Sequence, residues 1–243
     1  MSFWLGAMAA CSPPNDEAPR AYADLVRADR PASYWRFGDV EGTAARDETG
    51  QAPGAISAGV KRGVEGALGD ASSAFEFDGA TGVVVAPDIY PFGDRLPFAV
   101  EVWIAPSPGG LPLQRICNHR VGPPHTGWRL VLNATKRALF ERWSNEVSTT
   151  AMSAPLPTGV YSHVVARYDG RTLDLFVDGV LASSVPDEHV IGPFAAPLTW
   201  GAASTSTLDF FSGRLDEAAI YEHALGTDRV AAHFAARRAH EAR

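Results

Sequence analysis

The chain has 243 residues, with 28 acidic and 21 basic side chains and a formal net charge of −7. That balance, with no basic cluster beyond the Arg237, Arg238 and Arg243 tail, excludes a general nucleic-acid binder. No stretch is long and apolar enough to cross a membrane as a helix, and no Pro-rich or Ser/Gly-rich linker divides the interior.

At the N-terminus an apolar run ends in Met8-Ala9-Ala10 before Cys11, and residues 12–20 turn polar and proline-containing, as a tether would. This order resembles a bacterial lipoprotein signal, although no Lys or Arg precedes the run and the run is short. The resemblance implies lipidation at Cys11, an extracytoplasmic location, and contact with the membrane only through that anchor. Residues 1–20 are therefore set apart from a single domain over 21–243.

Short apolar runs bounded by Gly, Pro, Asn or Asp follow at residues 33–37, 74–77, 83–86, 98–104, 115–119, 128–133, 138–143, 198–201 and 211–221. Within 159–184 three further runs are separated by Asp169-Gly170 and Asp178-Gly179, the strongest short-range signal for hairpins. Leu173, Leu175 and Val177 fall on one face of the middle run, and Thr172, Asp174 and Phe176 on the other, which predicts a sheet with one dry face. Many short strands without intervening helices predict an all-β, two-sheet antiparallel sandwich. One helix is predicted, at the C-terminus. Thr227 is its cap, Val230, His233, Phe234 and Arg237 share a face, and its expected role is to cover an edge or end of the sandwich.

Catalytic constellations are missing from the sequence. A Glu-x-Asp-x-x-Glu string, which would set an acid and a nucleophile along one strand for glycoside hydrolysis, does not occur, and the nearest approaches are Asp174 with Asp178 and Asp216-Glu217 with Glu222. On a regular strand Asp216 and Glu217 point to opposite faces. Adjacent Ser162 and His163 are turned apart in the same way, one wet and one packed, and Gly-x-Ser-x-Gly does not occur. Cys117, His119 and His125 lack a spaced fourth zinc ligand; the histidines are expected in solvent-facing loops and Cys117 as a buried thiol. The chain is accordingly expected not to be an enzyme.

The ordered blocks Tyr34-Trp35-Arg36-Phe37, Ala44 to Gly50, Gly63 to Ala67, Phe77-Asp78-Gly79, Val100 to Ile104, Tyr168-Asp169-Gly170, Val177-Asp178-Gly179 and Gly213 to Tyr221 resemble the laminin G-like, concanavalin A-type jelly roll of bacterial secreted proteins. The resemblance implies two antiparallel sheets of about six or seven strands, with the first and last strands as neighbours. It would also bring Asp78 and Asp216 together as ligands for a structural Ca2+, with Asp88 and Asp94 as lesser candidates. In residues 98–104, Val100, Val102 and Ile104 take the core face, so Glu101 and Trp103 are expected to look outward from the concave sheet. Asn118, Trp128, Arg129, Arg142 and Trp143 lie on strands that could flank them, a set suited to sugar faces and hydroxyls. The expected function is a non-catalytic binding or adhesion module for a glycan or a surface protein. A divergent glycoside hydrolase or lyase, and a structural spacer in a surface assembly, are the alternatives.

Overall fold

The computed structural model of the protein describes residues 21–69, 72–203 and 208–237. Cys11 and the segment before residue 21 lie outside the described residues. The chain begins with α1 (Tyr22–Ala28), β1 (Ser33–Trp35), β2 (Ala44–Ala45), β3 (Gly54–Ile56), β4 (Val60–Glu65) and β5 (Ser73–Asp78). It continues through β6 (Val84–Ala86), β7 (Phe98–Pro106), β8 (Leu113–Val121), β9 (Thr126–Asn133), β10 (Arg137–Ser144) and β11 (Val147–Pro155). It ends with β12 (Ser162–Tyr168), β13 (Thr172–Val177), β14 (Val180–Pro186), β15 (Leu198–Trp200), β16 (Ser212–Tyr221) and α2 (Thr227–Ala236).

The strands make two antiparallel sheets. The first runs β14-β13-β12-β7-β16-β5-β4, with β1 also paired to β16, and the second runs β11-β10-β9-β8-β15-β6-β3-β2. The first and last strands are neighbours, Ser33 opposite Ile220 and Trp35 opposite Ala218. Each sheet has eight strands rather than six or seven; in the second, β2 and β3 are too short to carry a readable period. The two Asp-Gly turns differ in kind. At β13–β14 both Asp178 (φ +50°) and Gly179 (φ +78°) are left-handed, as a two-residue hairpin between twisted strands requires. At β12–β13 only Gly170 is left-handed, and Asp169 instead accepts hydrogen bonds from the Arg171 and Thr172 amides, at 2.8 Å each.

Between the sheets lies one apolar core. Val100, Val102, Ile104, Leu173 and Leu175 come from the first sheet, and Trp128, Leu130, Leu132, Phe140 and Trp200 from the second. His119 and Cys117 also point into it, both essentially solvent-free, with His119 Nε2 2.9 Å from Asp88. The expectation of solvent-facing histidines therefore fails for His119: it sits on β8 at the parity of the core residue Cys117.

A second apolar cluster covers the other face of the first sheet. There Tyr22, Leu25 and Val26 of α1 and Val230 and Ala236 of α2 pack on Ala99, Trp103, Val165, Phe176 and Tyr221. The C-terminal helix thus covers a face rather than an edge, together with a seven-residue N-terminal helix that has no capping side chain to announce it. Trp103 is fully buried there; sealing an indole from water contributes about 4–6 kcal/mol before entropy is counted.

A buried carboxylate organises this layer. Glu101 on β7 accepts hydrogen bonds from Tyr22 Oη (2.8 Å), His163 Nε2 (2.7 Å), Tyr221 Oη (2.6 Å) and His233 Nδ1 (2.9 Å). The second ring nitrogen of His233, Nε2, lies 2.8 Å from Asp29, so the ring sits between two carboxyl groups, an arrangement that favours its protonated form. Burial alone would raise the Glu101 carboxyl, yet the His233 charge and the hydrogen bonds from His163 and His233 hold it well below its ordinary range. Burial works against the His233 cation, and the Glu101 and Asp29 carboxylates overcome it and raise its pKa. Neither member of the Ser162-His163 pair is wet, since helices cover that side of the sheet and close packing the other.

The linkage has two limbs. His233, raised in the fold, contributes stability that is complete below its unfolded value near 6.5 and is lost as pH rises through the folded pKa. Glu101, depressed in the fold, contributes stability present above its unfolded value near 4.5 and lost as pH falls through the folded pKa. Urea unfolding across pH 3–10 (roughly the range these groups cover) is therefore expected to give a stability plateau with a decline on each side. Glu101→Gln is expected to cost about 3–5 kcal/mol and to flatten both declines; a variant of wild-type stability would refute the role given to this carboxylate.

Candidate functional site

The remaining large face, the outer side of the second sheet, belongs to neither apolar cluster. Its side chains are laid out in rows by the strand register. Trp143 on β10, Gly127 on β9 and Arg120 on β8 form one row. Glu141, Arg129, Asn118 and Thr199 form the next, and Leu139, Val131 and Arg115 the third. Glycine is required at the centre of the first row. Its φ is +116°, and a Cβ there would lie 2.3 Å from the His119 carbonyl oxygen and 2.9 Å from the Arg120 Cα. In the same row the Arg120 guanidinium lies 4.9 Å from the centroid of the Trp143 ring.

The second and third rows are tied by ion pairs. Glu141 pairs with Arg129 and accepts the Trp143 indole N–H at 3.1 Å, which holds the indole in place. Arg115 pairs with Asp209 at 3.0 Å and donates to Asn118 Oδ1 at 2.7 Å. Arg129 and Arg115 are almost buried, whereas Arg120 and Trp143 are half-buried. Burial, with Arg129 close by, lowers the Arg115 pKa. Burial, reinforced by the charges of Arg129 and Arg115, pushes Arg120 down to about 10. An indole flanked by planar hydrogen-bonding groups, fixed before any ligand arrives, suits a hydroxyl-rich ring.

The residues singled out in the sequence are dispersed over three places. Asn118 and Trp143 are on this face with Arg129. Trp128 and Arg142 point between the sheets: Trp128 is fully buried, and Arg142 is held by Asp187 at 2.8 Å, by the His189 and Asp94 carbonyls, and by the Tyr168 ring 4.0 Å away. Glu101 and Trp103 do face away from the core, as their alternation requires, but toward the helices rather than solvent. Arg115, Arg120, Gly127, Glu141 and Asp209 were not foreseen. Their signal is cross-strand register, which no local pattern carries.

Asp78 and Asp216 are not brought together. Asp78 closes its own turn, accepting the Ala80, Thr81 and Gly82 amides and the Thr81 hydroxyl. Partial burial would raise its carboxyl, but the Thr81, Ala80 and Gly82 hydrogen bonds bring it down to about 2. Asp216, fully buried four residues further along β16 than Asp78's partner Ser212, accepts the Ala67 amide at 2.7 Å and the Glu217 amide at 2.9 Å. The strand is not regular there. A bulge between Asp216 and Ala219 gives Glu217 a φ of +49°, and its buried carboxylate accepts from Tyr34 Oη and Arg36 Nε instead of facing solvent. Among the described residues no group of three or more His, Cys, Asp or Glu side chains is placed to hold a metal ion.

Two antiparallel sheets with a polar outer face define a sandwich of the lectin and glucanase class. The family model described as the concanavalin A-like lectin/glucanases superfamily, laminin G type, matches residues 78–231, more than half of the chain, and the chain belongs to that family. Comparison with curated protein sequences gives no match. Among solved structures, the fourth domain of an extracellular arabinanase from Geobacillus stearothermophilus, in complex with arabinotriose, is similar with TM-score 0.63 and 19% identity, over 84% of this chain and 97% of that one. Trypanosoma rangeli sialidase, with a difluorinated sugar acid, matches with TM-score 0.67 and 13% identity over 93% of this chain. This chain spans only about a third of the sialidase, 35% of its length. The binding domain of Paraclostridial mosquitocidal protein 1 matches with TM-score 0.65 and 16% identity, over 83% of this chain and 51% of that one. Enzymes and binding domains thus share this fold, and at these identities the likeness is one of fold alone.

Because Asp78 spends its hydrogen bonds on its own turn, Asp78→Ala is expected to lower the melting temperature by about 2–4 °C. The decrement should be the same in EDTA as in calcium. A decrement that disappears on chelation would instead assign a metal to Asp78.

Proposed function

We propose that the chain is a non-catalytic, extracytoplasmic glycan-binding module that takes its ligand on the outer face of the second sheet. The observation that carries this reading is the row Trp143-Gly127-Arg120, a half-buried indole and guanidinium set across a buried glycine on a face that neither described helix covers. The arabinanase domain lends support, being of nearly the same extent and determined with an oligosaccharide bound. The state of the carboxylates favours binding over hydrolysis. Glu141 and Asp209, the acidic groups among these rows, are each committed to an arginine, whereas a glycosidase needs one carboxyl free to protonate and a second free to attack or to activate water. Attachment through a lipid on Cys11 accords with this reading. It would appear as an acylated N-terminal cysteine in mass spectra of the membrane fraction.

Trp143→Ala is expected to weaken binding to the recognised glycan by about tenfold or more on a glycan array while the protein stays folded with a cooperative melting transition. Trp103→Ala is no substitute, since it empties the helix-covered core. Unaltered binding by Trp143→Ala would move the site elsewhere, and release of reducing sugar from a polysaccharide panel would replace the module with an enzyme.

A further inference from the structure

The charge on the glycan-binding face is unbalanced. Three guanidiniums, Arg115, Arg120 and Arg129, lie on adjacent strands and influence one another's ionisation. Glu141 neutralises Arg129 and Asp209 neutralises Arg115. The next carboxylate, Glu146, lies in the β10–β11 turn and accepts the His125 amide at 2.7 Å. Arg120 alone of the three has no carboxylate within ion-pair distance among the described residues, and its planar group meets only the Trp143 ring. Half-burial strips part of its water, and the Glu141 and Glu146 carboxylates act on it only from beyond ion-pair distance, so burial and the neighbouring guanidiniums prevail.

We infer that this face selects a saccharide bearing an anionic substituent, a carboxylate or a sulfate, which pairs with Arg120 while the sugar ring lies beside Trp143. The inference rests on the glycan-binding reading and adds the charge of the ligand to it. Arg120 presents N–H donors in a planar fork that matches carboxylate and sulfate oxygens. An incoming anion would relieve the mutual repulsion that, with burial, already depresses the Arg120 pKa. The overall charge of −7 works the other way. A protein so acidic repels polyanions at long range, so any preference for them must come from a local arrangement such as this one.

The test uses matched pairs with the full chain: polygalacturonate against its methyl ester, and dextran sulfate against dextran, titrated calorimetrically at low and high salt. The expected result is at least about tenfold tighter binding of one charged member than of its neutral twin, equivalent to about 1.4 kcal/mol. That margin should shrink as salt rises. Arg120→Gln should abolish the preference and Arg120→Lys should retain part of it, while Arg46→Gln, at an exposed arginine on the loop between β2 and β3, should leave it untouched. Equal binding of charged and neutral twins, sensitive to Trp143→Ala, would overturn the charge preference and leave the glycan reading standing. A preference that survives Arg120→Gln would overturn the assignment to Arg120. Binding of none of the four polymers, with the protein folded, would count against both.

Discussion

The helix-covered side of this molecule is organised around one buried carboxylate. Glu101 sits on β7, in the interior of the first sheet, where an ionised group is tolerated only if it is paired and hydrogen-bonded. Its partners come from α1, β12, β16 and α2. Satisfying one charge therefore obliges both helices to lie on the same face, joining residues near the two ends of the described chain. The apolar cluster around Trp103 then closes over the network and keeps water out. A face sealed in this manner is unavailable to a ligand, and the sandwich's other outer face becomes the place where recognition is possible.

Parity was readable from the sequence; cover was not. Period-2 alternation correctly put Val100, Val102 and Ile104 on one side of β7 and Glu101 and Trp103 on the other, yet nothing in a strand's own pattern says whether its second face meets water or a helix. The missing information lay in α1, whose seven residues and absent cap give little local signal. The same gap explains β4, where Gly63 (φ +70°) and a register shift interrupt the alternation. It also explains β11, an edge strand rich in Ser and Thr. By contrast, the Asp178-Gly179 hairpin was legible because its geometry is dictated by two adjacent residues.

The outer face of the second sheet obeyed the same rule. Arg142 and Trp143 are neighbours in sequence and so cannot share a face; one is locked between the sheets and the other faces outward. Arg120 and Gly127 sit opposite each other across the β8–β9 ladder. Their relation to Trp143, sixteen residues beyond Gly127 and on a third strand, exists only once the ladder is in register. Binding sites assembled across strands are for this reason less visible to a reading along the chain than turns and cores are.

The rows differ in how they are satisfied, and the difference has a physical meaning. Glu141 and Asp209 hold Arg129, Arg115 and the Trp143 indole in fixed positions without any ligand, so little side-chain entropy remains to be lost on binding. Had these carboxylates been free, the face would carry acids suited to chemistry; paired, they act as supports. Arg120 stands apart because it lies beside the indole with no carboxylate within ion-pair distance among the described residues, Glu141 and Glu146 acting on it only from further away. The fold thus commits Glu141 and Asp209 to rigidity and leaves the Arg120 guanidinium beside an aromatic ring, an arrangement in keeping with the binding role proposed for this surface.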